Sequence, residues 1–411
     1  MCIIIGRMTK RTAIIGGGAA GFFLAVNLKE MMPEMDVTIF ERSQRVLAKV
    51  EVSGGGRCNC TNTFEDVRDL QSVYPRGHRL MKRLFKTFDY RQAYAWFEKH
   101  GVPLVVQDDH CVFPAAQDSH AIINSFLRLA HDYHIHICTG EKIQDLDQLA
   151  AFDYVAVTTG GSPRSEGLRW LSEKGHEIAE PVPSLFTFRI DDEQLTALMG
   201  LVIDPVSVRI AGTKFQAEGP LLITHWGVSG PAILKLSSYA ARHLAENDYR
   251  QPLSINWVHQ NEAEVLETLQ KAILKEPQKQ LTTYCPVALP QRLWAYLVDK
   301  SLSERSSVRW SELNKKDTHR LVNTLTNDSC LIAGRAAFKD EFVTCGGVAL
   351  TSVNPTTLES RCQPRLFFAG EVLDIDGITG GFNFQAAWTT AYAVACGIGR
   401  YLQQNTGYSN E

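Results

Sequence analysis

The stretch Arg11-Thr12-Ala13-Ile14-Ile15-Gly16-Gly17-Gly18-Ala19-Ala20-Gly21 decides how the chain is read. Residues 12–15 are short, β-branched and apolar, as in a strand covered on both faces of a parallel sheet, and they run directly into Gly16-x-Gly18-x-x-Gly21. In that spacing Gly16 allows a tight turn, Gly18 lets backbone approach a pyrophosphate, and Gly21 lets the next helix pack closely on the strand. The first turn of that helix, at Ala19 and Ala20, offers free N–H groups and the positive end of a helix dipole to phosphate.

The flanking residues agree. Phe23, Val26 and Leu28 lie among good helix formers, the helix stops by Pro33, and Asp36-Val37-Thr38-Ile39-Phe40-Glu41 reads as a second strand. Glu41 falls 20 residues beyond Gly21, where a carboxylate accepts from ribose hydroxyls and repels a 2′-phosphate. With Arg42 beside it, this reads as a site for FAD or NAD rather than NADP.

A chain of 411 residues is too long for one core, so two or three domains are expected. Hydrophobic residues at 45% and charged residues at 21% describe a globular protein. The net charge of −3 gives no broad footprint for nucleic acid or an anionic membrane, and neither partner is expected, although a local basic patch stays open. No apolar run reaches a membrane span, the start is too short for a signal-peptide core, and a cytoplasmic location is expected. Residues 1–7 read as an extension from an upstream start. Ten cysteines without repeated spacing make neither a disulfide framework nor a zinc site, and no metal is expected. Cys58-x-Cys60 reads as reduced thiols in a loop, with a redox or metal role as the alternative.

A second informative stretch is Lys49-Val50-Glu51-Val52-Ser53-Gly54-Gly55-Gly56-Arg57-Cys58-Asn59-Cys60-Thr61-Asn62. Three successive glycines are costly to order, and a loop that wraps a ligand with its backbone gains from them. Arg57, Asn59 and Asn62 add a fixed charge and amide donors. Residues 79–100 have helical spacing up to Gly101, and Ser119 reads as the cap of a helix running to His131. Residues 135–138 and 153–158 read as strands, the latter broken by Thr159-Gly160-Gly161-Ser162-Pro163.

After about Phe188 short β-type segments separated by glycine and proline indicate a small β domain; residues 259–326 look like a helical insertion, and strands return at 327–334. Within the β domain lies Thr224-His225-Trp226-Gly227-Val228-Ser229-Gly230-Pro231. The C-terminal stretch has a strand ending in Gly370-Glu371, then Asp374-Ile375-Asp376-Gly377-Ile378-Thr379-Gly380-Gly381-Phe382-Asn383, then an alanine-rich helix over 386–396. A glycine pair at a helix start supplies a second set of backbone donors. One phosphate site needs only the first; a flavin uses both, the ADP half at Gly16–Gly21 and the ring's N1/O2 edge at the second.

On these motifs, with Gly346-Gly347-Val348 and Ala369-Gly370-Glu371-Val372-Leu373-Asp374-Ile375-Asp376-Gly377, the sequence resembles the BaiN-like flavoproteins, the aminoacetone-oxidase-type FAD-binding family, nearly end to end. The resemblance implies an α/β fold: a Rossmann-like, glutathione-reductase-like FAD-binding domain (1–188 and 349–411), an inserted β-barrel-like domain (189–258 and 327–348) and a nested helical domain (259–326). It implies an FAD-dependent oxidoreductase that moves a hydride between flavin N5 and a small organic substrate. No second GxGxxG follows a strand, so NAD(P)H is expected only as a transient electron donor reducing an unsaturated substrate. An oxygen-using amine oxidase and an RNA-modifying flavoprotein are the alternatives. Expected at the cofactor, besides the first glycine turn and Glu41, are Lys49, Ser53, Gly54, Gly55, Gly56, Arg57, Cys58, Asn59, Thr159, Gly160, Gly370, Glu371, Asp376, Gly380, Gly381, Phe382 and Asn383. His225 is the expected proton donor. Cys345 and Trp226 stand where the family has alanine and phenylalanine.

Overall fold

The computed structural model describes residues 9–162, 164–336 and 343–405. The N-terminal extension at 1–7 and Pro163 of the break after residue 158 lie outside them. The chain divides into two compact units, Met1–Val182 with Val343–Glu411, and Pro183–Phe342.

The first unit is built on a five-stranded parallel sheet. Its strands are β1 (Arg11–Ile15), β2 (Asp36–Glu41), β3 (His136–Thr139), β4 (Tyr154–Val157) and the strand Leu366–Phe368, in the spatial order β3-β2-β1-β4-Leu366–Phe368. Ile15 lies opposite Phe40 on one side and Val157 on the other, and Val157 lies opposite Phe368. All strands therefore end at one edge, which puts Gly16, Glu41, Thr158 and Ala369 side by side. The strand order reverses at β1, the switch point where such sheets bind ligands.

Helix α1 (Ala19–Met31) is buried from Ala20 through Leu28, because one face meets the sheet and the other the long C-terminal helix Phe382–Asn405. Phe23, Phe126 and Trp388 meet between them, with ring centroids 5.2 Å apart for Phe23–Trp388 and 5.8 Å for Phe126–Trp388. The C-terminal helix starts directly at the glycine pair and is longer than the expected 386–396.

Two local expectations are corrected. The helix expected over 79–100 is two helices, His78–Leu84 and Tyr90–Lys99, since Asp89 caps the second. Its carboxylate accepts from the Arg91 and Gln92 N–H groups, and the Gln92 side chain accepts from Asp89 N–H, a capping box. Before the helix His120–Asp132 the capping side chain is Asp118, which accepts from His120 N–H at 2.9 Å. Ser119 donates instead to the Glu51 carbonyl.

A buried histidine ties down a connection in this unit. His176 Nδ1 lies 2.9 Å from the Leu171 carbonyl, which only accepts, so Nδ1 carries the proton and Nε2 accepts from Ser360 Oγ at 2.7 Å. Burial pushes His176 below the ordinary histidine pKa. Below about pH 6.5 the unfolded chain takes up a proton that the folded chain resists. Stability is expected to be complete above that pH and to fall as pH drops towards the folded-state value. Melting curves between about pH 7 and about pH 5 check this, with a flatter profile for His176→Gln.

The second unit is a closed six-stranded barrel, ordered Val202–Ile210, Gln216–Thr224, Gly227–Ser229, Phe188–Ile190, Asp328–Arg335 and Arg250–Asn256. Helices Glu262–Lys275, Gln291–Leu302 and Lys315–Asn327 are inserted between its last two strands in sequence, and they share one continuous apolar core with it. Trp257 donates through Nε1 to the Asp328 carboxylate at 3.0 Å, and Lys300 pairs with the same carboxylate at 2.7 Å. Burial pushes the Asp328 carboxyl above its usual range, against the pull of Lys300. Val343–Val348, read from sequence with the β domain, groups with the first unit, where Gly346 packs on the Glu180 carbonyl too tightly for a side chain.

A candidate FAD cradle at the carboxyl ends of the parallel strands

The three glycines of the first turn differ in what surrounds them. A Cβ on Gly16 would stand 2.5 Å from the Thr158 carbonyl oxygen, and one on Gly21 would stand 2.0 Å from the Gly16 carbonyl oxygen. Both are glycine because backbone packs against them. A Cβ on Gly18 would meet nothing within 4 Å, and its φ of −94° is open to any residue. Its bare backbone has no packing cause and faces open space at the N-terminus of α1, where the first N–H groups lack intrahelical partners.

The turn is pinned by its neighbours. Gly16 N–H donates to the Phe40 carbonyl at 2.8 Å, Leu47 N–H to the Gly17 carbonyl at 2.8 Å, and Thr158 Oγ1 to the Gly16 carbonyl at 2.9 Å. Glu41 Oε2 accepts from Gly17 N–H at 2.9 Å, while Oε1 accepts from Ser43 N–H and Oγ, each at 2.9 Å. Three donors on about four lone-pair sites fix the carboxylate and leave room for one hydroxyl. Arg42 is exposed beside it.

The same edge holds Thr159, Gly160 and Glu371. A Cβ on Gly160 would lie 3.8 Å from Glu371 Oε2, and one on Gly370 would meet Ala20 Cβ at 2.9 Å. Glu371 accepts from Thr344 N–H at 2.7 Å and pairs with Lys49 at 3.2 Å. One rim thus carries the first glycine turn, Lys49, Gly160, Gly370 and Glu371, residues far apart in sequence.

The glycine-rich loop begins as a short helix, Ala48–Val52, and not as loop throughout. Gly54, Gly55 and Gly56 then take φ of 56°, 68° and 83°, a left-handed run that only glycine adopts without strain. Cβ atoms on Gly55 and Gly56 would meet nothing within 4 Å, so open space lies here as at Gly18. Ser53 Oγ is spent on the Val50 carbonyl, and Arg57 lies over the Phe113 ring at 4.4 Å.

Other expected cofactor residues hold the backbone in place. The Asn59 amide nitrogen faces the Thr61 and Val112 carbonyls at 2.9 and 3.2 Å, and its oxygen accepts from Gly381 N–H at 3.2 Å. Asn383 exchanges two 2.8 Å hydrogen bonds with the Gly377 backbone. Asn62 donates to the Gly380 carbonyl at 3.1 Å, Tyr74 OH to the Phe382 carbonyl at 2.8 Å, and Thr61 Oγ1 to the Gln385 amide oxygen at 2.6 Å. The Phe382 ring packs on Phe64. These bonds stitch the N-terminal loop to the start of the C-terminal helix. Asp376 is fully buried and makes a two-point ion pair with Arg76, Nε to Oδ1 at 2.6 Å and Nη2 to Oδ2. Arg76, Tyr74, Thr158 and Thr344 carried no signal in sequence; each works through a partner distant in the chain.

Cys58 and Cys60 are both buried, and burial pushes the Cys58 thiol up to about 12 and Cys60 well above its ordinary value. Neither is a thiolate near neutral pH. Native protein is expected to leave both unmodified by iodoacetamide while exposed Cys362 reacts, as peptide mapping before and after denaturation would read out. Cys345 is buried too, and among the described residues no three His, Cys, Asp or Glu side chains gather as a metal site.

His225 lies in the second unit. It and Trp226 form the exposed tip between the strands Gln216–Thr224 and Gly227–Ser229, their rings 4.9 Å apart. The glycines of the motif are structural: a Cβ on Gly227 would strike Phe188 O and Ile190 N at 2.5 Å.

Open backbone at Gly18, Gly55 and Gly56, a fixed acid at Glu41 and a second glycine-started helix fit FAD, with the dinucleotide turn and Glu41 for its adenosine half and the loop and second helix for its flavin half. The fold and this cradle define an FAD-binding oxidoreductase. The chain belongs to the family described as HI0933-like protein Rossmann domain, whose model matches residues 10–397. It is 29% identical over 411 residues to a ribosomal RNA dihydrouridine synthase of Escherichia coli (strain K12), covering 93% of this chain and 96% of that protein. It is 25% identical over 404 residues to a 3-dehydro-bile acid delta(4,6)-reductase of Clostridium scindens, covering 93% and 97%. Among solved structures, a 3-ketosteroid delta1-dehydrogenase from Sterolibacterium denitrificans shares the fold, with a TM-score of 0.50 at 11% identity over 96% of this chain and 100% of that one. Among the described residues no helix is long and apolar enough to cross a membrane.

Proposed function

We propose that this chain reduces a carbon–carbon double bond conjugated to a carbonyl group, with NAD(P)H as transient electron donor. The observation that carries this reading is that relatives matching nearly its whole length are named for one chemistry on two scaffolds: a dihydrouridine synthase saturates the double bond of a uracil ring, and a delta(4,6)-reductase saturates steroid double bonds. In both, a carbonyl in conjugation accepts the charge that develops when hydride arrives. Bound FAD supplies the hydride carrier. The chain's own residues would hold it: the first glycine turn and α1 dipole its phosphates, Glu41 its ribose, and the Phe382 N–H with the dipole of the helix it opens a negative ring edge. His225, an imidazole at an exposed hairpin tip, is the proposed proton donor to the second carbon.

Uridine within RNA is the substrate we favour, because the Escherichia coli and Haemophilus influenzae relatives, at 29% and 27% identity, carry that activity in their names. The test is anaerobic incubation of the FAD-loaded protein with NADH or NADPH and either protein-free ribosomal RNA or a steroid 4,6-dien-3-one, followed by mass spectrometry. A gain of two hydrogens on a uridine or on the steroid is expected, reduced in His225→Gln with FAD binding unchanged. No gain on either, with hydrogen peroxide formed from an amine, would contradict the proposal and favour the oxidase alternative.

A further inference from the structure

We propose that the outer end of the three inserted helices is a docking surface for the RNA backbone; this rests on the reading of uridine in RNA as substrate. The segment after helix Glu262–Lys275 runs beside residues 308–311: Leu281 N–H donates to the Val308 carbonyl, Trp310 N–H to Lys279 and Ser311 N–H to Pro277, each at 3.0 Å. That pairing gathers Lys275, Lys279 and Arg309 at one place. Lys315 and Lys316 open the next helix four residues after Ser311, within about 14 Å of it along the chain. All five are exposed.

The acids within these segments are committed locally. Glu276 pairs with Lys279 at 3.2 Å, and Glu312 accepts from Arg309 N–H at 2.9 Å. Asp317, in the same helical turn as Lys315 and Lys316, pairs with Arg305 at 2.9 Å, so six cations against three acids leave 6 − 3 = +3 at this end of a chain whose net charge is −3, which is why the whole-chain charge hides it. Among the described residues the charged groups of Lys275, Arg309, Lys315 and Lys316 have no acid partner, and the Arg309 guanidinium donates to the Gln278 amide oxygen at 2.8 Å.

Lys315 and Lys316 occupy the first two positions of a helix capped by Asn314, where the dipole repels cations. Helix stability disfavours them there; a phosphate, attracted by both the dipole and the ammonium groups, gives them a partner. The occupant is RNA rather than an anionic membrane, since of the large apolar side chains exposed in the described residues only Leu274 belongs to these helices, too little for a membrane-bound face. The surface supplies affinity without sequence reading.

The experiment is filter binding of protein-free ribosomal RNA to the full FAD-loaded chain between about 50 and about 200 mM KCl, for parent, Lys315→Gln/Lys316→Gln and Lys275→Gln/Lys279→Gln. Each double variant is expected to bind about tenfold more weakly at low salt, and the slope of log affinity against log salt to shrink by about 1.4 for two lost phosphate contacts. FAD affinity and the rate of flavin bleaching by NAD(P)H are expected to stay at parent values. Parent affinity and slope in both variants, with uridine still reduced, would overturn the docking surface and leave the function standing. A parent that neither binds RNA nor reduces its uridines would remove the reading beneath it, and binding to phosphatidylserine vesicles in place of RNA would overturn the assignment of the partner.

Discussion

Gly18→Ala is expected to fold like the parent and to lose FAD, whereas Gly21→Ala is expected not to accumulate as folded protein. Position 18 has an ordinary φ and space for a methyl group, so the stability of the FAD-free variant should lie within about 0.5 kcal/mol of the parent. The methyl would stand where a pyrophosphate must approach, and FAD affinity should fall by at least about tenfold, some 1.4 kcal/mol or more. At position 21 the methyl would be 2.0 Å from the Gly16 carbonyl oxygen, and neither β1 nor α1 can retreat from a core in which Ile14, Phe22 and Phe23 are fully buried. Denaturation of FAD-free samples alongside FAD titration separates the two effects. Equal FAD affinity in Gly18→Ala and parent would place the pyrophosphate elsewhere.

Arg76→Met is expected to be among the most damaging changes away from the glycine turn. Its guanidinium is sealed against Asp376, with side-chain exposures of 11% and 0%. Removing one partner leaves a buried carboxylate uncompensated, at a cost of about 3–5 kcal/mol, against a total stability of about 5–15 kcal/mol for a typical domain. Asp376 directly precedes Gly377, whose backbone Asn383 clamps, so the loss should also loosen the second glycine turn and weaken FAD binding. Replacing both partners, Arg76→Met with Asp376→Leu, should recover most of the stability, because no charge is left buried. Urea denaturation of the parent, the single variant and the double variant measures this; equal stability of Arg76→Met and parent would show that the pair is not sealed from water.

How legible the chain was depended on whether the cause of a feature lay close by in sequence. The turn at 16–21, Glu41 and the parallel strands were legible because each is a local pattern with a mechanical reason. The FAD family and the closed barrel followed from several such patterns taken together. What could not be read was pairing at a distance. Asp376 is expected among the cofactor residues, and the partner that buries its charge, Arg76, lies 300 positions earlier. Asn59, expected at the cofactor for its amide, and Asn383, expected there from the family motif, both use their amides on backbone within the protein. The break at residues 85–89 was a different kind of miss: Asp89-x-x-Gln92 is a capping signal, outweighed by the apolar spacing that runs through it. Likewise the capping side chain is Asp118 and not Ser119 one position later, a shift within the ordinary error of an end signal. The basic end of the helical insertion was masked by whole-chain charge, since its cations come from three segments that only the fold assembles.

The most direct measurement is the anaerobic visible spectrum of the FAD-loaded protein, first with NADH or NADPH and then with an acceptor carrying a conjugated carbonyl. An absorbance at ~450 nm is expected to bleach on adding the nicotinamide and to return when uridine-containing RNA or a dienone is added in the absence of oxygen. A flavin that bleaches and returns only with air, or that an amine reduces and NAD(P)H does not, would contradict the reductase.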